Sequence, residues 1–205
     1  MPRPYTLGRR AAPKADTRAR IVSAGLEVFR ERGLAGASNL AIARAADVAP
    51  ATIRNHFPDE GDLARAVFEA LLGELQVPTA AIFDGAGDLA TRVTRLAEAL
   101  AAFYERGAPW WRAYEREPEL ITVWGGGVDH YYADIDQLMR IALGDLSSDE
   151  RSMAVLASVI GPPTFFALLE RGLASDDAVA LSVELALPWL KQRRHRLRLS
   201  SGGRG

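Results

Sequence analysis

Between Ser38 and Phe57 the chain reads SNLAIARAADVAPATIRNHF, two short stretches of helical period separated by Asp47-Val48-Ala49. A helix over 39–46 with Ser38 as its N-cap, a tight turn, and a second helix over 50–57 is the helix-turn-helix plan. A second helix used this way must bury one face on its scaffold and bare the other. Ile53 and Phe57, four residues apart, are spaced for burial. Thr52, Arg54, Asn55 and His56 are left facing outward to varying degree. In a major groove, Asn pairs bidentately with adenine, Thr meets a base edge or a thymine methyl, and Arg grips a phosphate or a guanine. His56 has two open readings: a phosphate contact, or a helix-end ring packed beside Phe57.

The flanks supply the scaffold. Upstream, Ile21, Ala24, Gly25, Val28 and Phe29 recur at i, i+3, i+4, i+7 spacing, with Asp16 or Thr17 able to start the helix and Gly33 to end it. Leu40, Ile42, Ala43 and Ala46 form the apolar face of the first short helix. Pro58-Asp59 breaks the chain again, and a long helix is expected over 60–76. Beyond it the period stays helical over 88–106, 109–116, a glycine-interrupted 118–143, a 147–171 that opens with the capping sequence Ser147-Ser148-Asp149-Glu150, and 175–197. No segment alternates as a strand does. The expected fold class is all-α.

Charge is partitioned along the chain. Residues 1–56 hold ten Lys/Arg against four Asp/Glu, residues 57–190 nine against twenty-two, and residues 191–205 six against none. The first 14 residues carry Arg3, Arg9, Arg10, Lys14 and three prolines, and no acid precedes Asp16. They read as a flexible basic arm, suited to a polyanion or simply solvated. The chain has no cysteine and three histidines, which excludes disulfides, thiol chemistry and cysteine-based metal sites. His130 and Asp134 lie one helical turn apart, but two ligands do not make a metal site. No phosphate loop, nucleophile elbow or dinucleotide fingerprint occurs. No enzyme, metal or cofactor is expected. No apolar run reaches the roughly 18–20 residues of a membrane span, so the expectation is a cytoplasmic protein without a membrane partner.

From Thr17 to about Leu72 the chain resembles the TetR family of transcriptional regulators. The segments ARIVSAGLEVFRERGL, IARAADVAPATIRNHF and DLARAV fall in that family's order and spacing. The resemblance implies a three-helix DNA-binding head, a larger helical body that binds a small molecule, and a homodimer through the body's last two helices. It implies repression of transcription. Several positions depart from the family pattern. Asp47 stands at the turn where glycine is usual, Ala49 where a Ser or Thr cap is usual, and Arg54 where an aromatic is common. Glu60 replaces the lysine that commonly opens the fourth helix and grips phosphate.

The domains expected are the arm (1–14), a helix-turn-helix domain (15–75, recognition helix about 50–57), a ligand-binding and dimerisation domain (76–197) and a disordered tail (198–205). Candidate DNA contacts are Arg9, Arg10 and Lys14 in the arm, with Ser38, Asn39, Pro50, Ala51, Thr52, Arg54, Asn55 and His56 in the head. Residues 103–132 hold eight of the sixteen aromatics. Ligand pockets are largely apolar with a few placed polar groups. Candidate pocket walls are therefore Trp111, Tyr114, Trp124, Tyr131 and Phe165, with Arg112, Asp129 and His130 as polar contacts. Gly125-Gly126-Gly127 reads as a broken helix or a plain loop, and Gly161-Pro162-Pro163 as a kink or a split. Leu156, Val159, Ile160, Phe165, Phe166, Leu168 and Leu169, then Val179, Leu181, Val183, Leu185, Leu187, Trp189 and Leu190, are too apolar for a solvated helix pair and fit a dimer seam, the other reading being an ordinary monomer core. The sequence thus points to a homodimeric repressor released from a palindromic operator on double-stranded DNA by a hydrophobic or aromatic effector. The alternative is a helical small-molecule binder whose DNA head has decayed.

Overall fold

The computed structural model describes residues 8–111 and 121–202; the side chains of 8–13, 34, 35, 60, 121–130, 201 and 202 lie outside that description. The described secondary structure is helical throughout. In chain order it comprises α1 (Gly8–Gly36), α2 (Asn39–Ala45), α3 (Pro50–His56), α4 (Glu60–Leu75), a 3-10 turn (Ala80–Phe83), α5 (Leu89–Arg106), α6 (Ile121–Leu143), a second 3-10 turn (Gly144–Leu146), α7 (Glu150–Ile160), α8 (Pro162–Glu170) and α9 (Ser175–Gly202). The chain divides into two compact units, one of Met1–Leu75 with Arg112–His130, the other of Gln76–Trp111 with Tyr131–Gly205.

In the first unit α1 packs on α2 and α4, and α2 on α3. Its core is the set the 3.6-residue period selects: Ile21, Val28 and Phe29 of α1, Ile42 and Ala43 of α2, Ile53 of α3, and Leu63, Val67 and Leu71 of α4 are all buried. Gly25 sits where α1 and α4 are in tight contact. A Cβ on it would lie 2.6 Å from Val67 Cγ2. An Arg30–Glu74 ion pair joins the same two helices at the surface. α4 is capped from within: the Asp59 N–H donates to Asp62 Oδ2 at 3.3 Å, the returning half of a capping box.

Three boundaries differ from expectation. α1 begins at Gly8 rather than at Asp16 or Thr17, so residues 8–14 of the expected arm continue the helix. Pro2 and Pro4 precede Gly8, whereas Pro13 falls inside α1 in spite of its missing N–H, among Arg, Ala and Lys that are good helix formers. At Gly33 the backbone turns to φ 71°, which breaks α1 where glycine was expected to end it. At the other terminus α9 runs through residues 198–202, which were expected to be disordered. There Arg198 pairs with Asp145 at 2.7 Å and the Ser200 hydroxyl donates to the Leu197 carbonyl at 2.8 Å.

In the second unit α5 and α9 form the main helix pair, with α7 and α8 packed on both. α5 starts at an Asp88 cap whose carboxylate accepts from the Thr91 N–H at 3.1 Å and hydroxyl at 2.6 Å. Its buried stripe is Val93, Leu96, Leu100 and Phe103. Three arginines on α5 hold the connection from α4: Arg106 donates to the Gln76 carbonyl, Arg95 to those of Ile82 and Asp84, and Arg92 to that of Gly87. The stretch expected as one helix over 147–171 is two. Gly161 is extended (φ −73°, ψ 162°), closing α7 and preceding α8, with Pro162 in the first turn where its missing N–H costs nothing. α6 instead runs unbroken through Gly125-Gly126-Gly127.

Two stretches, Gly61–Phe83 and Glu150–Glu170, reach membrane-like mean hydropathy, 1.3 and 1.7, against the expectation that none would. Neither is one continuous span here. The first ends its helix at Leu75 and the second divides at Gly161, and their apolar residues include Leu63, Val67, Leu71, Leu156 and Phe165 of the core.

Candidate nucleic-acid interface and aromatic site

The α2–α3 pair is built by local bonding. The Ser38 hydroxyl accepts from the Ala41 N–H at 3.2 Å, as a cap should. Asp47 makes the turn at φ 51°, a left-handed conformation that aspartate tolerates better than most residues. The chain is tied across it by Val48 N–H to the Ala43 carbonyl at 3.0 Å. Ala49 offers α3 no side-chain cap, and Pro50 in the first turn leaves one fewer N–H to satisfy.

With Ile53 1% and Phe57 4% exposed, the register of α3 is fixed, and Ala51, Arg54 and Asn55 point to solvent while Thr52 and His56 are half-buried. Ser38, Asn39 and Pro50 are exposed beside them, as is Lys14 in α1. Arg9 and Arg10 fall in α1, their side chains outside the described residues. Phe57 is covered from the other side by Arg18, whose guanidinium carbon stands 4.8 Å from the ring centroid. Leu40 departs from expectation. It is 51% exposed, because Ile42, Ala43 and Ala46 already fill the buried face of α2.

A second constellation lies in the body. Phe103 and Tyr104 at the end of α5 are the centre of an aromatic cluster. Phe103 stacks on Tyr131 at 5.6 Å and meets Trp111 edge-on at 6.4 Å. Tyr104 meets Trp111 edge-on at 5.7 Å and Phe165 at 5.8 Å. Of the sequence candidates, Trp111, Tyr131 and Phe165 are thus brought together. Arg112 and Tyr114 lie outside the described residues, as do the side chains of Trp124, Asp129 and His130. Tyr104 and Phe166 were not singled out as walls. Tyr104 follows Leu100 by four residues, a spacing that places it on the buried face. Burial, with Tyr132 nearby, pushes the Tyr104 phenol above its ordinary pKa, so it stays a neutral donor at any physiological pH. Among the described residues no group of three or more His, Asp or Glu could hold a metal ion.

The fold and the α2–α3 face define an all-helical protein with a helix-turn-helix head on a helical body. Residues 21–67 match the family model for bacterial regulatory proteins of the tetR family, so that the head is similar to that family's N-terminal domain. The chain has the architecture of a DNA-binding transcriptional regulator. No curated protein matches the chain by sequence. Among solved structures, a linker-substituted mutant of HlyIIR superposes with a TM-score of 0.61 at 17% identity, covering 85% of this chain and 98% of that one. A Shewanella sp. PV-4 protein assigned to the tetR family of transcription regulators gives 0.56 at 21%, covering 83% and 95%. The multidrug binding protein EbrR complexed with imidazole gives 0.53 at 22%, covering 83% and 89%.

Proposed function

We propose that the protein is a homodimeric, effector-released repressor that acts in the cytoplasm on a near-palindromic operator. The observation that carries the DNA reading is the face of α3: Ile53 and Phe57 are buried and Arg54 and Asn55 are exposed within a tetR-family domain. Asn55 and Thr52 read bases, Arg54 and His56 contact the backbone, and Ser38, Asn39, Pro50, Ala51 and Lys14 flank the groove, with Arg9 and Arg10 adding charge. The effector is a hydrophobic or aromatic molecule that inserts among Trp111, Tyr131 and Phe165. Arg112, Tyr114, Trp124, Asp129 and His130 are the further candidates that the sequence offers for effector contacts. The aromatic edges and the buried Tyr104 phenol support this reading, since such a pocket needs an apolar wall and a few polar groups.

Selection of binding sites from random double-stranded DNA tests the proposal. The expected result is enrichment of a two-fold-symmetric sequence retained against excess competitor DNA. Recovery of no sequence above background overturns the regulator and favours a small-molecule binder with a decayed head, for which the uncapped Ala49 is the structural support.

A further inference from the structure

The body carries a second concave site, remote in sequence from the aromatic cluster. The last turns of α9 and the segment joining α6 to α7 line an open groove of about 610 Å³, inside the range of roughly 300–1,000 Å³ typical of small-molecule sites. Its charged lining is Arg194, Arg198 and Asp145, with Ser148 and Leu197 also on its wall and Leu146 buried beneath it. Arg198 is spoken for: its Nη2 donates to Asp145 Oδ2 at 2.7 Å. The nearby Asp149 is held by Arg193 at 2.6 Å. Arg194, half-buried, has no ion-pair partner among the described residues. It is the uncompensated charge of the groove. Around it Lys191, His195 and Arg196 are exposed on the same helix, and residues 191–205 contain no Asp or Glu. The field in the groove is therefore positive, with one unit of charge unanswered.

We propose that this groove binds a small monoanionic carboxylate, with its carboxylate on the Arg194 guanidinium and its apolar portion against Leu197. The planar guanidinium fork matches a carboxylate with two parallel N–H···O bonds. One free guanidinium answers one negative charge; a phosphate dianion would leave half its charge unpaired. The half-buried Leu197 gives a short alkyl chain an apolar contact that water does not. The site is independent of operator reading by α3 and of the aromatic effector.

Isothermal titration and saturation-transfer NMR of the full-length protein test this with hexanoate as probe and hexanamide as its neutral match. Hexanoate is expected to bind at least tenfold more tightly than hexanamide, a difference of about 1.4 kcal/mol or more. Arg194→Gln is expected to weaken hexanoate at least tenfold. Ser148→Asp, which sets a like charge in the lining at an exposed position, is expected to do the same. Arg196→Gln, exposed and outside the lining, is expected to stay within twofold of wild type. Equal binding of acid and amide, undiminished binding in both Arg194→Gln and Ser148→Asp, or no hexanoate binding at millimolar concentration overturns the proposal. None of these results bears on operator selection, so the two readings fail separately.

Discussion

Arg193 of α9 grips Asp149 with both arms of its fork, Nε to Oδ2 at 3.0 Å and Nη2 to Oδ1 at 2.6 Å. The same carboxylate caps α7, accepting from the Ser152 N–H at 3.0 Å and hydroxyl at 2.7 Å. One side chain therefore begins a helix and ties it to the C-terminal helix, and both groups are largely shielded, at 13% and 23% exposure. Asp149→Ala should remove cap and tie together. Loss of the cap alone costs about 1 kcal/mol, and a chain of this size loses roughly 2–4 °C of Tm per kcal/mol. Asp149→Asn, which keeps a capping oxygen and loses the charge, should fall between wild type and Asp149→Ala in thermal melts. Equal Tm for all three proteins would refute the tie.

The same carboxylate sets a pH dependence. Arg193 beside Asp149 holds its carboxyl well below the usual range, and the Thr91 hydroxyl and N–H lower that of Asp88. A depressed carboxyl stabilises the fold above its unfolded pKa of about 4 and loses that contribution as pH falls through its folded value. Tm should thus decline as pH drops below about 4, and more shallowly in Asp149→Asn than in wild type. Parallel declines in the two proteins would remove Asp149 as the source.

Much of the head was legible in the sequence. The i, i+4 placement of Ile53 and Phe57 fixed which residues of α3 reach solvent, and Ser38 and Gly33 marked helix ends by chemistry that acts within one turn. Leu40 was misread because hydrophobic period alone does not say when a short helix's buried face is already full. The arm was expected to run to residue 14, but Pro2 and Pro4 lie before Gly8 and the helix carries Pro13 within it. In the body, Gly161-Pro162 announced an interruption, but whether it kinks or splits a helix depends on the extended backbone of Gly161. The aromatic cluster joins residues from α5, α6 and α8 and the helical turn at Trp111, a meeting that no local pattern specifies.

Gly25 offers a test of how the head is assembled. A Cβ there meets Val67 Cγ2 at 2.6 Å, and Val67 is a β-branched residue stiff at χ1 in a helix. Gly25→Leu should overpack the α1–α4 contact and cost roughly 1–3 kcal/mol. Hydrogen exchange should quicken in α1–α4 and stay slow in α5 and α9. Unchanged protection in α1 and α4 would mean that the close approach is not a constraint.

On the reading face, Asn55→Ala and Thr52→Ala should relax discrimination between operator variants by roughly 1–3 kcal/mol per lost base contact. Arg54→Ala should instead weaken binding to all sequences alike and lower the salt dependence by about one phosphate's share. Titrations of matched and mismatched operators over a salt series separate the two behaviours. Assignment of these residues fails if Arg54→Ala changes sequence preference while Asn55→Ala does not.

Leu185 is the most direct probe of dimerisation. It lies mid-way along α9, is 59% exposed in the protomer, and follows Leu181 by one helical turn. A leucine that the protomer leaves in water gains by burial against a second copy, at about 25 cal/mol for each Å² covered. A glutamate at the same place should be harmless to the protomer, since it points to solvent, but an unpaired charge buried in an apolar seam is expensive. Leu185→Glu is therefore expected to keep the helix content and the Tm of the isolated fold while sedimenting as a monomer where wild type is a dimer. In the proposed function each α3 reads one half-site, with half-sites about 34–36 Å apart or a multiple of it, so the monomer should lose operator affinity though its own α3 face is intact. A wild-type monomer at micromolar concentration, or a Leu185→Glu protein that still sediments as a dimer, would place the interface elsewhere.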